Sequence, residues 1–269
     1  MSLTRSNGLT ESTARPVGRI RWWIHLILIG GYFIPPILFA QPRSSPILTN
    51  TSRGLLMVSA FQILLFALVF GLGWWCSRAS SEQMLMRWRP GWWVVPLGIG
   101  YSVAIRLGIA IIAVAVSAIL LATVFDQRQL AEFWRAGEPN IRQVVSMKAI
   151  RSDPVYVWLL MTVVSFVVAG LREELWRAGT LAAMRSLWPK AFGTRAGERL
   201  GILLLAIGFG AGHLPMGVMA AVVAGVLGVF LGLIMIFHRS IWPAVLAHGS
   251  FDATTFALLA WLPSHLQPL

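Results

Sequence analysis

Apolar residues fall along the chain in blocks of about twenty, the length that carries an α-helix across the hydrocarbon of a bilayer, with short arginine-bearing segments between them. The first block runs from Trp22 to about Ala40. Trp22 and Trp23 mark its interface, and the Pro35-Pro36 pair should kink or end the helix because proline lacks a backbone donor. A loop with Pro42 and Pro46 leads to a second block, Gly54 to Cys76, which closes on Trp74-Trp75. Gly91 to Phe125 is about 35 residues, long for one span and short for two. The pattern predicts an interfacial start at Trp92-Trp93 and a single span to about Val124, within which Arg106 snorkels or pairs with a buried acid. Asp126 to Asp153 mixes acidic and basic residues, and predicts an extramembrane loop with a surface helix over Gln127 to Ala136.

After Pro154 the pattern predicts a helix that continues through Glu173 to about Leu187, ~50 Å at 1.5 Å per residue, so that it extends beyond the hydrocarbon. Three closely spaced blocks complete the chain, at Gly201–Met216, Val218–Phe237 and Ile241–Leu262. Around the middle one, Gly217, Ala221, Gly225, Gly228 and Gly232 form a small-residue face that permits close helix packing. The fold class is therefore all-α, a polytopic transmembrane helical bundle of about seven spans. An eighth crossing inside Gly91–Phe125 is the alternative count.

Composition agrees with this class. Of 269 residues, 57% are hydrophobic and 12% charged, too apolar a balance for a soluble domain. Lys and Arg number 22 against 10 Asp and Glu, an excess that raises nucleic acid as a partner. The basic residues instead cluster at Met1–Arg21, Ser77–Pro90, Arg185–Arg199 and His238-Arg239. Seven spans put all four clusters on one side of the membrane, as the positive-inside rule requires, and nucleic acid drops out. The organisation expected is a cytoplasmic tail over residues 1–21, N-terminal transmembrane helices and loops over 22–154, and a transmembrane core over 155–269. The tail lacks a cleavage signature and reads as leading into a retained helix. Cys76 is the only cysteine, which excludes an intrachain disulfide and a cysteine-based metal site.

Few polar residues interrupt the apolar blocks, and an ionisable side chain at membrane depth costs on the order of 3 kcal/mol, so each is a functional candidate. Glu173 and Glu174 follow the apolar run of the long helix, with Arg177 placed to reach either acid at i+4 or i+3. His213 comes late in its block, four residues after Phe209 and beside Gly210 and Gly212. His248 and Asp252 stand at i and i+4 on the last helix. Groups on three separate apolar helices each need a partner, and one shared cavity satisfies them all. Idealised helices put His213 farther from the basic side than Glu173, so the cavity closes only if a helix is displaced, broken or tilted. His25 and His238 read as interfacial, His265 as part of the tail, Gln62 as self-satisfied between helices and Tyr32 as packing.

The two adjacent glutamates with an arginine, then Phe209-x-x-x-His213, then Ser240-Ile-Trp-Pro-Ala-Val-Leu-Ala-His248-x-x-x-Asp252 resemble the three motifs of the CAAX protease and bacteriocin-processing family. This membrane-embedded group includes the type II CAAX prenyl endopeptidase, and the resemblance covers about Val155 to Leu262. It implies an intramembrane endopeptidase of a bacterial inner membrane, acting on a hydrophobic or membrane-tethered, in some cases lipidated, peptide or protein. Glu173 is then the general base on a water, helped by His213; Glu174 and Arg177 support the site; His248 and Asp252 steady the oxyanion. Two departures matter. The family usually places its arginine one residue later, at the position of Ala178, and many members carry Asn where this chain has Asp252.

Three other readings stay open. A zinc-dependent protease would use Glu173, His213 and His248 as ligands, whereas the leading reading needs no cofactor. A catalytically silent member, an immunity or scaffold protein, would bind a peptide in the same cavity. A transporter fits less well, because the sequence shows no internal repeat. Membrane lipid is a partner in every case.

Overall fold

The structure, a computed structural model, describes residues 18–34, 48–89 and 91–261. Most of the predicted tail, Pro35-Pro36, Pro42, Pro46 and His265 lie outside the described residues. Within them the chain is an all-α helical bundle. Its helices are α1 (Arg19–Ile29, continued by a 3₁₀ turn to Phe33), α2 (Ser52–Ser77), α3 (Val94–Thr123), α4 (Gln127–Ala136) and α5 (Met147–Ser152). A long helical run follows over Pro154–Leu187. It comprises α6 (Pro154–Leu159), a π-helical segment (Leu160–Leu171) and α7 (Arg172–Leu187). After it come α8 (Pro189–Phe192), α9 (Arg195–Ala211), α10 (Val218–His238) and α11 (Trp242–Trp261).

Four of these stretches are long and apolar enough to cross a membrane by themselves, namely Ser52–Ser77, Gly91–Thr123, Pro154–Leu187 and Val218–His238. The second settles the ambiguous apolar run as one helical element with an interfacial tryptophan turn at Gly91–Trp93. The surface helix also forms over Gln127–Ala136, where Asp126 and Gln129 make a reciprocal capping box that satisfies orphan N-terminal donors. Asp153 caps the long run by accepting from the Val155 and Tyr156 N–H groups, with Pro154 following at the first helical position, where its missing donor costs nothing. It also accepts from the Ser52 hydroxyl, tying α2 to the start of that run.

Close packing follows the small residues. Gly225 and Gly228 of α10 face Gly210 and Ala206 of α9. Gly217 is not part of that helix but its leading turn, where φ of 110° demands glycine. α1 is wedged against α2 and α7, with Ile29 filling the space left by Gly73 and Gly179. That wedge corrects one expectation. His25 is not interfacial but fully buried, its ring nitrogens 3.1 and 3.0 Å from the Gly73 and Gly179 carbonyls and 2.9 Å from the Ser77 hydroxyl. His238 does sit near the basic end, 2.8 Å from the Tyr101 hydroxyl.

Candidate active site

The site begins where the π-helical segment hands over to α7. A π-turn closes its backbone bonds over five residues, and such segments occur at functional sites because they re-aim the side chains of the next turn. Ser165 supports the wide turns by donating to the Leu160 carbonyl at 2.7 Å. Two glycines let this segment lie against α11. A Cβ on Gly170 would come within 2.9 Å of the Val245 carbonyl oxygen, and a Cβ on Gly249 would overlap the Phe166 ring. Glu173 and Glu174 consequently emerge beside His248.

His248, 3% exposed, is the hub. Its Nδ1 lies 3.2 Å from Glu174 Oε1, while Nε2 lies 3.8 Å from Glu173 Oε2 and 3.7 Å from Asp252 Oδ2. The predicted i and i+4 proximity of His248 and Asp252 is present. Glu174 and Arg177 form an ion pair with both side chains fully buried. Arg177 also stands 5.1 Å from the centroid of the Phe209 ring, a cation–π contact. Arg177 therefore serves Glu174, not Glu173. Its expected reach to either acid is resolved by a second arginine, because Arg172 Nη2 contacts Glu173 Oε1 at 3.1 Å.

Arg172 is the residue that sequence reasoning left without a role. Its other terminal nitrogen donates to Gln62 Oε1 of α2 at 2.7 Å, and its guanidinium lies 5.3 Å from the Phe33 ring. Gln62 is thus not self-satisfied but braces the arginine beside the first glutamate. The one available signal was adjacency to Glu173; nothing local announces a partner more than a hundred residues earlier.

His213 reaches the site because its helix is broken. α9 ends at Ala211, and His213 sits in the turn before a short 3₁₀ stretch at Leu214–Met216. Its Nδ1–H donates to the Phe209 carbonyl at 2.8 Å, so in the neutral imidazole the lone pair is on Nε2. The Phe209 ring bridges the two histidines, 4.7 Å from His213 and 6.0 Å from His248 between centroids.

Arg172, Glu173, His213, His248 and Asp252 all line one cavity of about 400 Å³. A neighbouring cavity of about 930 Å³ shares Gln62, Arg172, Glu173 and His213, and has apolar walls from α1 and α2. Side-chain exposure divides the acids. Glu173 and Asp252 keep 12% and 26%, whereas Glu174 keeps none. Arg106 forms no ion pair with Asp252. It donates to the Phe251 carbonyl and to the Thr254 and Thr255 hydroxyls, and covers the Phe251 ring at 4.1 Å. Among the described residues no group of three or more His, Cys, Asp or Glu is gathered to hold a metal ion, the set Glu173, His213 and His248 included.

The arrangement has a carboxylate and an imidazole lone pair at one cavity and a buried acid–arginine pair behind a second imidazole. The family model described as type II CAAX prenyl endopeptidase Rce1-like matches residues 155–254, from the start of the long helical run to beyond Asp252. Over this segment the chain is similar to the CAAX protease family. No curated protein and no solved structure matches the chain. The Rce1-like domain thus contains Glu173, Glu174, Arg177, His213, His248 and Asp252, while Gln62 and Phe33 come from helices outside it. The family is one of CAAX-type intramembrane proteases, and the long apolar helices make this chain an integral membrane protein.

Proposed function

We propose that the Rce1-like domain hydrolyses a peptide bond with a water activated by Glu173, acting on a hydrophobic or membrane-tethered substrate. The observation that carries this reading is the joint lining of one cavity by Glu173, His213, His248 and Asp252. Water held between the Glu173 carboxylate and His213 Nε2 loses a proton to Glu173 as its oxygen bonds to the scissile carbonyl carbon. Positioned proton transfer of this kind contributes ~10²–10⁴-fold. Glu174 accepts from His248 Nδ1–H and fixes the ring, and as an imidazolium His248 also carries an Nε2–H that donates to the oxyanion. Protonated Glu173 then delivers its proton to the leaving nitrogen as the C–N bond breaks.

Because Glu174 already orients His248, Asp252 is free for a different task. As a protonated carboxyl it donates to the oxyanion, the service an Asn performs with its amide. The apolar walls from α1 and α2 suit a lipidated or otherwise hydrophobic segment. The mechanism requires no cofactor, and metal analysis alongside activity after chelation tests that; stoichiometric zinc lost together with activity would replace it with the zinc reading. The placement we infer is a bacterial inner membrane with a cytoplasmic N-terminus.

The contact of Arg172 with Glu173 favours a second reading, a silent member that binds peptide without cleaving it, because one carboxylate oxygen of the proposed base is already occupied by a guanidinium. Glu173→Gln separates the two. Cleavage of a reconstituted peptide substrate should disappear while expression, thermal stability and helix content stay as in the parent. Peptide crosslinking that is the same in both proteins, with no product from either, would favour the silent member.

A further inference from the structure

At the basic end of the bundle a second cleft, about 960 Å³, opens away from the active site between α3, α9 and α10. Its floor is apolar. Leu233, Ile236 and Phe237 line it, and Phe237 at 78% exposure turns a full aromatic face outward where α10 leaves the apolar zone. Its rim carries Arg195, Arg199 and Arg239. One carboxylate, Glu198, is present, but it is already committed to Arg185 at 2.8 Å and Arg239 at 2.7 and 2.9 Å. Arg195 and Arg199 are exposed and make no ion pair among the described residues. The cleft therefore carries an uncompensated positive charge. The N-terminal end of the α9 dipole lies at Arg195, which adds to the preference for an anion.

A cationic rim above an exposed apolar floor, at one end of a helix long enough to span a membrane, matches a molecule with a phosphodiester head and acyl chains. We propose that this cleft binds one anionic phospholipid, its phosphate on Arg195 and Arg199 and its chains along Leu233 and Phe237. A free phosphate would satisfy the arginines and leave the apolar floor unused; a neutral lipid would cover the floor and leave the arginines unpaired. Basic pockets between transmembrane helices recognise acidic headgroups in this way. The site is independent of the peptidase reading, since none of its residues lines the active-site cavity.

The full chain, reconstituted in nanodiscs of equal parts phosphatidylcholine and phosphatidylglycerol and released for native mass spectrometry, should retain one phosphatidylglycerol in preference to phosphatidylcholine. Arg195→Gln with Arg199→Gln should weaken that retention roughly thirtyfold, two arginines at about 1 kcal/mol each. Arg128→Gln with Arg135→Gln removes the same charge from α4, beyond the opposite end of α3, and should leave retention unchanged. Equal losses in both double variants would reduce the effect to net charge and overturn the site. So would a parent protein without headgroup preference, a measurement that needs no variant. Displacement of the lipid by inorganic phosphate, where chloride of the same ionic strength has no effect, would reassign the cleft to a soluble anion.

Discussion

At the scale of single residues, the two glutamates are divided by what stands behind them. Glu174 has no contact with solvent and is neutralised by Arg177 one helical turn on, whereas Glu173 keeps a face on the cavity. Removing one partner of a buried ion pair strands a charge, at a typical cost of 3–5 kcal/mol. Arg177→Met should therefore lower thermal stability in detergent by about that amount, and Glu174→Gln with Arg177→Met should recover much of it. A double-mutant cycle that proves additive would mean the two side chains do not depend on each other. Asp252 offers a sharper test of chemistry. If its carboxyl donates to the oxyanion, Asp252→Asn should keep cleavage within about tenfold of the parent, while Asp252→Ala should lose on the order of 100-fold, the effect of removing one such donor. An Asn variant as slow as the Ala variant would instead mean that Asp252 acts through its negative charge or its exchangeable acid proton, which an amide lacks. These residues were legible in the sequence because polar groups on apolar helices stand out. Arg172 and Gln62 were not, since their pairing depends on α2 meeting the long helical run, a tertiary fact without a local pattern.

Elements carry the next level of explanation. Spacing alone did not show how Glu173 and His213 come to share a cavity, because straight helices place them at different depths. Two irregularities resolve it: the π-helical segment before Arg172 and the break of α9 at Ala211. Neither has a signature in hydrophobic periodicity, which reports the face of a regular helix and is silent on wider turns. The surface helix at Gln127–Ala136 was legible, and the capping box that begins it is a local feature. At the basic end, α7, α9 and the α10–α11 turn are joined through Glu198. Burial of Glu198 works to raise its carboxyl, but hydrogen bonds and charges from Arg239 and Arg185 outweigh it and hold the group below its ordinary 4.5. A carboxylate depressed in the folded state contributes stability that is fully present above the unfolded value and is lost as pH falls through the folded one. Glu198→Gln should therefore unfold at a lower temperature than the parent at pH 7. That difference should shrink below about pH 4, as protonation removes the same pairing from the parent. A gap that stays constant down to pH 3 would assign the loss to packing alone.

For the whole molecule, sidedness joins the fold to the chemistry. Contacts along one end tie Arg19 to the Leu187 carbonyl, Ser240 to that of Arg87, and Ile241 to that of Leu85. At the other end, Asn140 meets the Met216 carbonyl and Leu48 that of Val144. The described parts of the basic segments are thus gathered at one end by hydrogen bonds to backbone carbonyls, independently of the charge rule that grouped them from sequence. Glu173 lies partway along the 154–187 run, so a peptide must enter laterally through the apolar walls or descend from one end. If the arginine-rich end is cytoplasmic, as charge bias in short loops requires, a cysteine placed at Gln83 or Lys190 in a Cys76→Ser background should resist an impermeant maleimide in intact cells. It should become reactive only after permeabilisation. A cysteine at Glu132 or Ser152 should react from outside at once. Seven crossings demand this alternation between the two pairs. Labelling of all four positions from the same side would require an even number of crossings between Gln83 and Glu132 and again between Ser152 and Lys190. That outcome would split the helix over Gly91–Thr123 or remove it from the membrane, and would put the arginine-lined cleft and the 126–153 segment at the same surface.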